Sequence, residues 1–356
     1  MIDVSRAGPG PPADQKLETM HLNGSAAAWD AVVSRVPDST FCHLAGWREI
    51  MTDVLGHECL YTVATDRGGT WRGVLPLVRV RSRLFGHYLV SLPFLNYGGP
   101  LGVAAAQARL ADQAIAEARR SGVDLLELRT RHAPPSALRL SHRKITVVLE
   151  LPASTELLWQ HVLPPRRRRQ IRRAQDEGME ARFGDGQAQA FYEVFARNMK
   201  DLGTPVLPYR LFERVARVFP GLVVFGVAYW RGHPLAGGCG FVWRDEFELT
   251  WVSSLREHDS KMPNMLLYWS FMEQMIARGV RVFNFGRCTP GGGTHQFKHQ
   301  WGGVDVPLPW AQWSPRNVAA TPTPDRPVFR LATAAWRRLP LAVTKRVGPL
   351  LARQLP

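Results

Sequence analysis

Residues 46–78 read GWREIMTDVLGHECLYTVATDRGGTWRGVLPLV, and residues 208–238 read PYRLFERVARVFPGLVVFGVAYWRGHPLAGG. Each stretch opens with apolar residues at helical spacing and passes into an apolar strand. Each then carries Trp-Arg-Gly at an expected hairpin turn before a Pro-Leu strand. Trp71-Arg72-Gly73 and Trp230-Arg231-Gly232 lie 159 residues apart. Downstream, AAQARLADQAIAEARRSGVDLLELRT parallels NMLLYWSFMEQMIARGVRVFNFG, both helices stopped by glycine and followed at once by a strand. Those glycines, Gly122 and Gly279, are 157 residues apart. Four elements in one order at a nearly constant offset indicate an internal duplication. The expected architecture is α/β (α+β), with two tandem halves at 15–147 and 148–314, each a mixed, mostly antiparallel sheet ending in a helix and a strand. Residues 1–14 are expected to be a disordered N-terminus. SPRNVAATPTPDRP reads as a linker, and 315–356 as a basic tail able to form short amphipathic helices interrupted at Pro340 and Pro349.

Composition narrows the function classes. With 356 residues, 45% hydrophobic residues and twelve tryptophans, the chain can bury two cores, which excludes wholesale disorder. No apolar run is long enough to span a bilayer, and MIDVSRAGPGPPADQK lacks the apolar segment of a secretory signal. Cys42, Cys59, Cys239 and Cys288 show no metal or redox spacing and read as reduced thiols, so a cytoplasmic location is expected. The net charge of +15 implies attraction to polyanions. It is concentrated in PPRRRRQIRR (164–173) and in the tail, where 315–356 hold eight Lys/Arg against one acid.

Phosphate-loop, dinucleotide and hydrolase-elbow signatures are missing. His295 and His299 are four apart, but no glutamate follows His295 and the nearby glycines disfavour a helix, so no metal site is expected. The segment richest in chemistry is FNFGRCTPGGGTHQFKHQWGG (283–303), in which a strand ends at Gly286, a glycine cluster follows, and Lys298 sits between aromatic residues. Taken alone it also fits a glycine-rich hairpin tip with a solvated lysine.

VLPPRRRRQIRRAQDEGM resembles the signature of FemAB-type transferases. NYGGPLG, NMKDLGTPVLP, WVSSL, MPNMLLYWSFMEQMIARG and the 283–303 stretch resemble the branch found beside exosortase (PEP-CTERM) and exopolysaccharide systems. The resemblance runs from about Trp47 to Trp313. It implies two GNAT-type acyltransferase folds and amide formation: an aminoacyl or acyl group moves onto an amine of an envelope or exopolysaccharide precursor. No bound cofactor is implied; the co-substrate is an aminoacyl-tRNA or an acyl-CoA.

The resemblance places Phe297 and Lys298 at the donor ester, with Lys298 stabilising the intermediate or the leaving hydroxyl, an electrostatic role. Gly291, Gly292 and Gly293 would let backbone approach the donor. Arg287 follows the strand end and reads as a phosphate contact or an ion pair, and Trp301 as core or a pocket wall. Arg166, Arg168 and Arg172 suit an acceptor phosphate, with Arg167, Arg169 and Arg173 ranked below them. Asn264 and Tyr268, one helical turn apart, and Asn96 and Tyr97 are further acceptor-side candidates. No residue presents itself as general base; Asp201, Glu246 and Glu273 qualify in principle only. An acyl-CoA donor lacks its usual glycine-rich turn before MPNMLLYWSFMEQ. A non-enzymatic reading, binding RNA or an anionic membrane through the arginine helix and tail, stays open; the tail could equally hold an enzyme at the membrane or pack on the second half.

Overall fold

The duplication becomes two sheets. The structure is a computed structural model that describes residues 17–22, 25–82, 85–136, 138–315 and 327–355. The expected N-terminal segment and most of the linker lie outside the described residues. The first half contains β1 (Glu18–His21), α1 (Ala26–Arg35), α2 (Gly46–Glu49), β2 (Glu58–Thr65) and β3 (Trp71–Ser82). It continues through β4 (Gly86–Val90), β5 (Leu101–Gly102), α3 (Ala104–Arg120), β6 (Leu125–Leu128) and β7 (Arg139–Ser141). The second half opens with β8 (Ile145–Glu150), α4 (Thr155–Leu157), α5 (Pro165–Asp176), β9 (Met179–Phe183), α6 (Ala188–Leu202) and α7 (Tyr209–Val218). There follow β10 (Val223–Trp230), β11 (His233–Trp243), β12 (Glu246–Ser254), α8 (Pro263–Ala277), β13 (Val282–Cys288), α9 (Gly293–His299) and β14 (Val304–Pro307). Strand β15 (Trp310–Trp313) and helices α10 (Pro327–Arg338) and α11 (Leu341–Ala352) complete the chain.

The first sheet is ordered β1-β2-β3-β4-β6-β15-β7, with β5 beside β3; the second is β14-β8-β13-β12-β11-β10-β9. Each has one parallel pair, formed across its long helix. Tyr88, Leu89 and Val90 face Leu125, Leu126 and Glu127 in the first. Glu246, Phe247 and Glu248 face Val282, Phe283 and Asn284 in the second. Matching positions are 158 residues apart on one strand (Tyr88, Glu246) and 157 on the other (Leu125, Val282). The helix caps repeat as well. Gly122 and Gly279 take φ of 61° and 73°, and the next N–H closes back on Ala118 and Met275 respectively.

Three details depart from the sequence reading. Arg231 and Gly232 form the expected turn, with φ of 50° and 78°. Trp71-Arg72-Gly73 instead opens β3, because Asp66 organises a longer loop by accepting from the Gly68 and Thr70 N–H groups and from Arg72. The division at 147/148 also shifts, since β8 already belongs to the second sheet at Ile145. Finally, Trp310–Trp313, assigned above to the second half, returns to the first sheet between β6 and β7.

One apolar core joins the halves. Phe41 stacks on Phe241 at 4.2 Å, Trp47 lies 5.6 Å from the same ring, and Gly46 sits so close to α7 that a Cβ there would meet Val218 at 2.4 Å. Helices α10 and α11 rest on α6, and Gln354 hydrogen-bonds Ser82 of the first sheet, so the described part of the tail packs on both halves. Among the described residues no helix is long and apolar enough to cross a membrane.

A core shared in this way predicts shared unfolding. Phe241→Ala should cost about 3–5 kcal/mol and leave a single urea transition for the whole chain. Two separated transitions would show that the halves melt independently.

Candidate active site between the halves

The parallel pairing of β12 with β13 stops after three residues because both strands bulge at the same level. Leu249 and Thr250 together oppose only Gly240 on β11, and Phe285 and Gly286 together oppose only Val147 on β8. Bulges redirect a strand, and two of them here open a gap in the sheet. Gly286 makes the geometry feasible: its φ is 73°, and a Cβ would lie 2.7 Å from the Leu249 carbonyl oxygen. Asn284 pins the opening. Its amide donates to Glu246 (2.8 Å) and to the Tyr97 phenol (3.4 Å), and its oxygen accepts from the Gly286 N–H (2.9 Å) and from Thr146.

At the mouth of this gap stands Glu248, 2% exposed. Oε1 accepts from the Asn96 amide (2.6 Å) and the Thr250 hydroxyl (3.1 Å); Oε2 is buried without a partner among the described residues. Burial first, and the neighbouring Glu246 second, push its pKa up to about 7. Glu246 itself is committed to Arg131 and Asn284. A small cleft lined by Thr40, Tyr97, Arg131, Trp243 and Glu246 leads to Glu248. The first half supplies Asn96 and Tyr97 from a turn held by Arg129, whose guanidinium donates to the Leu92 and Leu95 carbonyls.

The glycine stretch forms α9 with Gly292 as its N-cap, so Lys298 is neither at a hairpin tip nor solvated. It is 3% exposed, and Nζ donates to the Gly286 (2.6 Å) and Arg287 (2.9 Å) carbonyls. Burial lowers its pKa to about 8. Those carbonyls belong to the bulged part of β13, which ties the lysine to the opening. Gly291 takes φ 76°, but a Cβ on Gly291 or Gly293 would meet nothing within 4 Å, so no protein neighbour requires glycine there by crowding.

Arg287 turns toward the first half. Burial lowers its pKa to about 10, Nη1 donates to Leu95 (3.4 Å), and its guanidinium lies 5.4 Å from the Trp310 ring centre. Phe297, Tyr268 and Trp301 form one aromatic wall, with Tyr268 5.1 Å from Phe297 and 5.8 Å from Trp301; the buried Trp301 indole N–H has no partner among the described residues.

The arginine helix sorts differently from its ranking. Arg166 and Arg172 are exposed, Arg172 lying over Trp159, and Arg168 is half-buried. Arg167, ranked low, is the buried one; it reaches Gln300 (2.5 Å) and the Met265 sulfur (3.4 Å). Asn264 donates to Ser254 (2.8 Å) at the start of α8.

His295 and His299 do share a helix, contrary to the expectation from the glycines, because Gly291 and Gly292 precede it and Gly293 only opens it. His295 Nδ1 accepts from the Gly291 N–H (3.1 Å), which leaves its proton on Nε2, 2.9 Å from Asp305. The pair thereby fastens the glycine loop to β14. Sequence reasoning missed Glu248 and ranked Arg167 below its neighbours. Glu248 had a visible signal: in DEFELTW two glutamates alternate on one face of an otherwise apolar strand.

Residues 165–299 match the family model described as an acetyltransferase (GNAT) domain. Among solved structures, FemX is similar over 89% of this chain and 100% of its own, with 14% identity and a TM-score of 0.62. The C-terminal domain (DUF2156) of a putative lysylphosphatidylglycerol synthetase from Agrobacterium fabrum is similar over 87% of this chain and 96% of its own, with 12% identity and a TM-score of 0.58. L-PGS from Bacillus licheniformis is similar over 88% and 98%, with 12% identity and a TM-score of 0.53. No curated protein matches the sequence. The fold is two tandem GNAT-like domains.

Gly286→Ala should destabilise the protein by about 1–3 kcal/mol, because strain and the Leu249 clash add. Gly122→Ala, with positive φ but open space, should cost less, about 1–2 kcal/mol. Urea titration compares them, and equal losses would remove crowding as the reason for glycine at 286.

Proposed function

We propose that the protein is an acyltransferase that joins an acyl or aminoacyl group to an amine in the gap between β12 and β13. The observation that carries this reading is one buried carboxylate, Glu248 on β12, with an oxygen unpartnered among the described residues, and one buried ammonium, Lys298, held on the bulged carbonyls of β13, at one break in the sheet. The amine nitrogen attacks the donor carbonyl and forms the C–N bond. Glu248 accepts the proton the amine must lose, having a pKa suited to neutral pH. Lys298 stabilises the oxyanion and then the departing oxygen as the C–O bond breaks. Tyr97 and Asn96 bring the first half into the acceptor side.

The FemAB resemblance favours an aminoacyl-tRNA donor and an amine-bearing envelope or exopolysaccharide precursor, with the reaction on the cytoplasmic side, where that donor occurs. The loop before α8 speaks against acyl-CoA. Between Ser254 and Pro263 it contains no glycine, and the helix is entered through Met262 at φ 61°. A glycine-rich pyrophosphate cradle is missing there.

Donor consumption followed by mass spectrometry tests the proposal, using aminoacyl-tRNAs, acyl-CoA compounds and an envelope-precursor extract together. Aminoacyl-tRNA should disappear with the native protein, and Lys298→Met should slow this by about a hundredfold or more. Consumption of acyl-CoA would reassign the donor; consumption of neither would sink the transferase reading and leave a binding protein.

The pH profile provides a second test. Glu248 must be ionised, so kcat/KM rises through about pH 7; Lys298 must be protonated, so it falls through about pH 8. Glu248→Gln should remove the acid limb and keep the alkaline one. An unchanged acid limb would exclude Glu248 as proton acceptor.

A further inference from the structure

A second polar pocket, of about 560 Å³, lies where the end of α11 meets the β2–β3 hairpin of the first half, and its walls include His57, Glu58, Arg79, Arg81, Arg353 and Gln354. The helix before it finishes in a π-helical turn, Ile50–Val54, and the His57 N–H closes that turn on the Met51 carbonyl (2.9 Å). His57 is 8% exposed, and its Nε2 is buried with no hydrogen-bond partner among the described residues. Burial, reinforced by Arg353, lowers its pKa to about 4, so the imidazole is neutral. Arg79 reaches Glu58 (3.1 Å) and the buried Glu117, yet its Nε is also buried and unpartnered among the described residues. Leaving such groups unsatisfied is costly, and both line one pocket.

Charge points the same way. Among the described wall residues Glu58 is the only carboxylate, against three guanidiniums, and its approach to Arg81 is loose at 3.7 Å. Arg81 is 68% exposed, and Arg353 has no ion pair among the described residues. The Gln354–Ser82 bond (3.2 Å) fixes the end of α11 to β3, which sets Arg353 opposite the strand arginines. Guanidinium forks arranged around a buried imidazole present several donors to one tetrahedral anion.

We propose that His57, Arg79, Arg81 and Arg353 bind a phosphate group. Two sources carry that chemistry: a soluble phosphate ester or diphosphate, and the headgroup of an anionic lipid. The site is separate from the gap between β12 and β13, and its test uses neither donor nor acceptor, so it stands or falls independently of the transfer reaction. For a lipid source, the outer face of α11 supplies an apolar stripe beside the pocket, since Val343, Val347 and Leu350 are exposed at helical spacing with Arg346 among them.

The full-length protein would be titrated calorimetrically with inorganic phosphate and pyrophosphate. It would also be sedimented with phosphatidylcholine vesicles with and without phosphatidylglycerol. Arg81→Ala/Arg353→Ala alters side chains at the pocket's mouth, and its fold is checked by circular dichroism. It should weaken phosphate or pyrophosphate binding about tenfold or more if the source is soluble. It should instead remove phosphatidylglycerol-dependent sedimentation if the source is a lipid. Arg278→Ala/Arg281→Ala, exposed arginines at the turn between α8 and β13, should change neither. Native protein that binds none of these probes overturns the proposal, as does a folded Arg81/Arg353 variant that binds as the native protein does.

Discussion

The three-residue contact between β12 and β13 is the constraint on which the rest of the second half depends. A longer parallel pairing would seal the sheet and leave Glu248 and Lys298 as costly buried charges with no purpose. A shorter one would lose the register that Asn284 enforces. Asn284 uses its whole amide to hold that point, and the two bulges convert a continuous ladder into an opening. The lysine then reads out the bulge directly, because its partners are the carbonyls of Gly286 and Arg287. Strand geometry and site electrostatics are therefore one feature.

The first half repeats the parallel pair but puts its divergence to different use. The chain leaving β4 folds into the turn that carries Asn96 and Tyr97 across to the second sheet, and Arg129 holds that turn by its carbonyls. The duplicate thus serves as a wall and a source of hydrogen bonds for its partner. The common aromatic core around Phe41, Trp47 and Phe241 keeps that wall in register.

Much of this architecture was legible in the sequence. Helix-stopping glycines and strand patterns are local signals, and the near-constant offset between the halves survives in the paired positions of the two sheets. Lys298 was legible as the cation of its segment, though its burial was not, because burial depends on the carbonyls of a bulge that no pattern marks. Glu248 and Arg167 were hidden for a related reason. A charged residue in a strand or in an arginine run looks solvated unless the elements covering it are known. The return of β15 to the first sheet was equally invisible, since a four-residue strand carries no address. His57 stood in the quoted opening stretch, but only the arrival of Arg353 from the far end of the chain gives it a setting.

That return of β15 also bears on how the molecule is made. On the ribosome the first half emerges early, yet the edge of β6 stays open and β7 has no partner until residues 310–313 leave the exit tunnel. Throughout synthesis of the second half, Leu125–Leu128 presents an unpaired apolar edge, the kind of surface that invites strand pairing between neighbouring nascent chains. The last strand to be made is the one that closes the first sheet, so a truncated chain leaves not only its second half unfinished but its first half open.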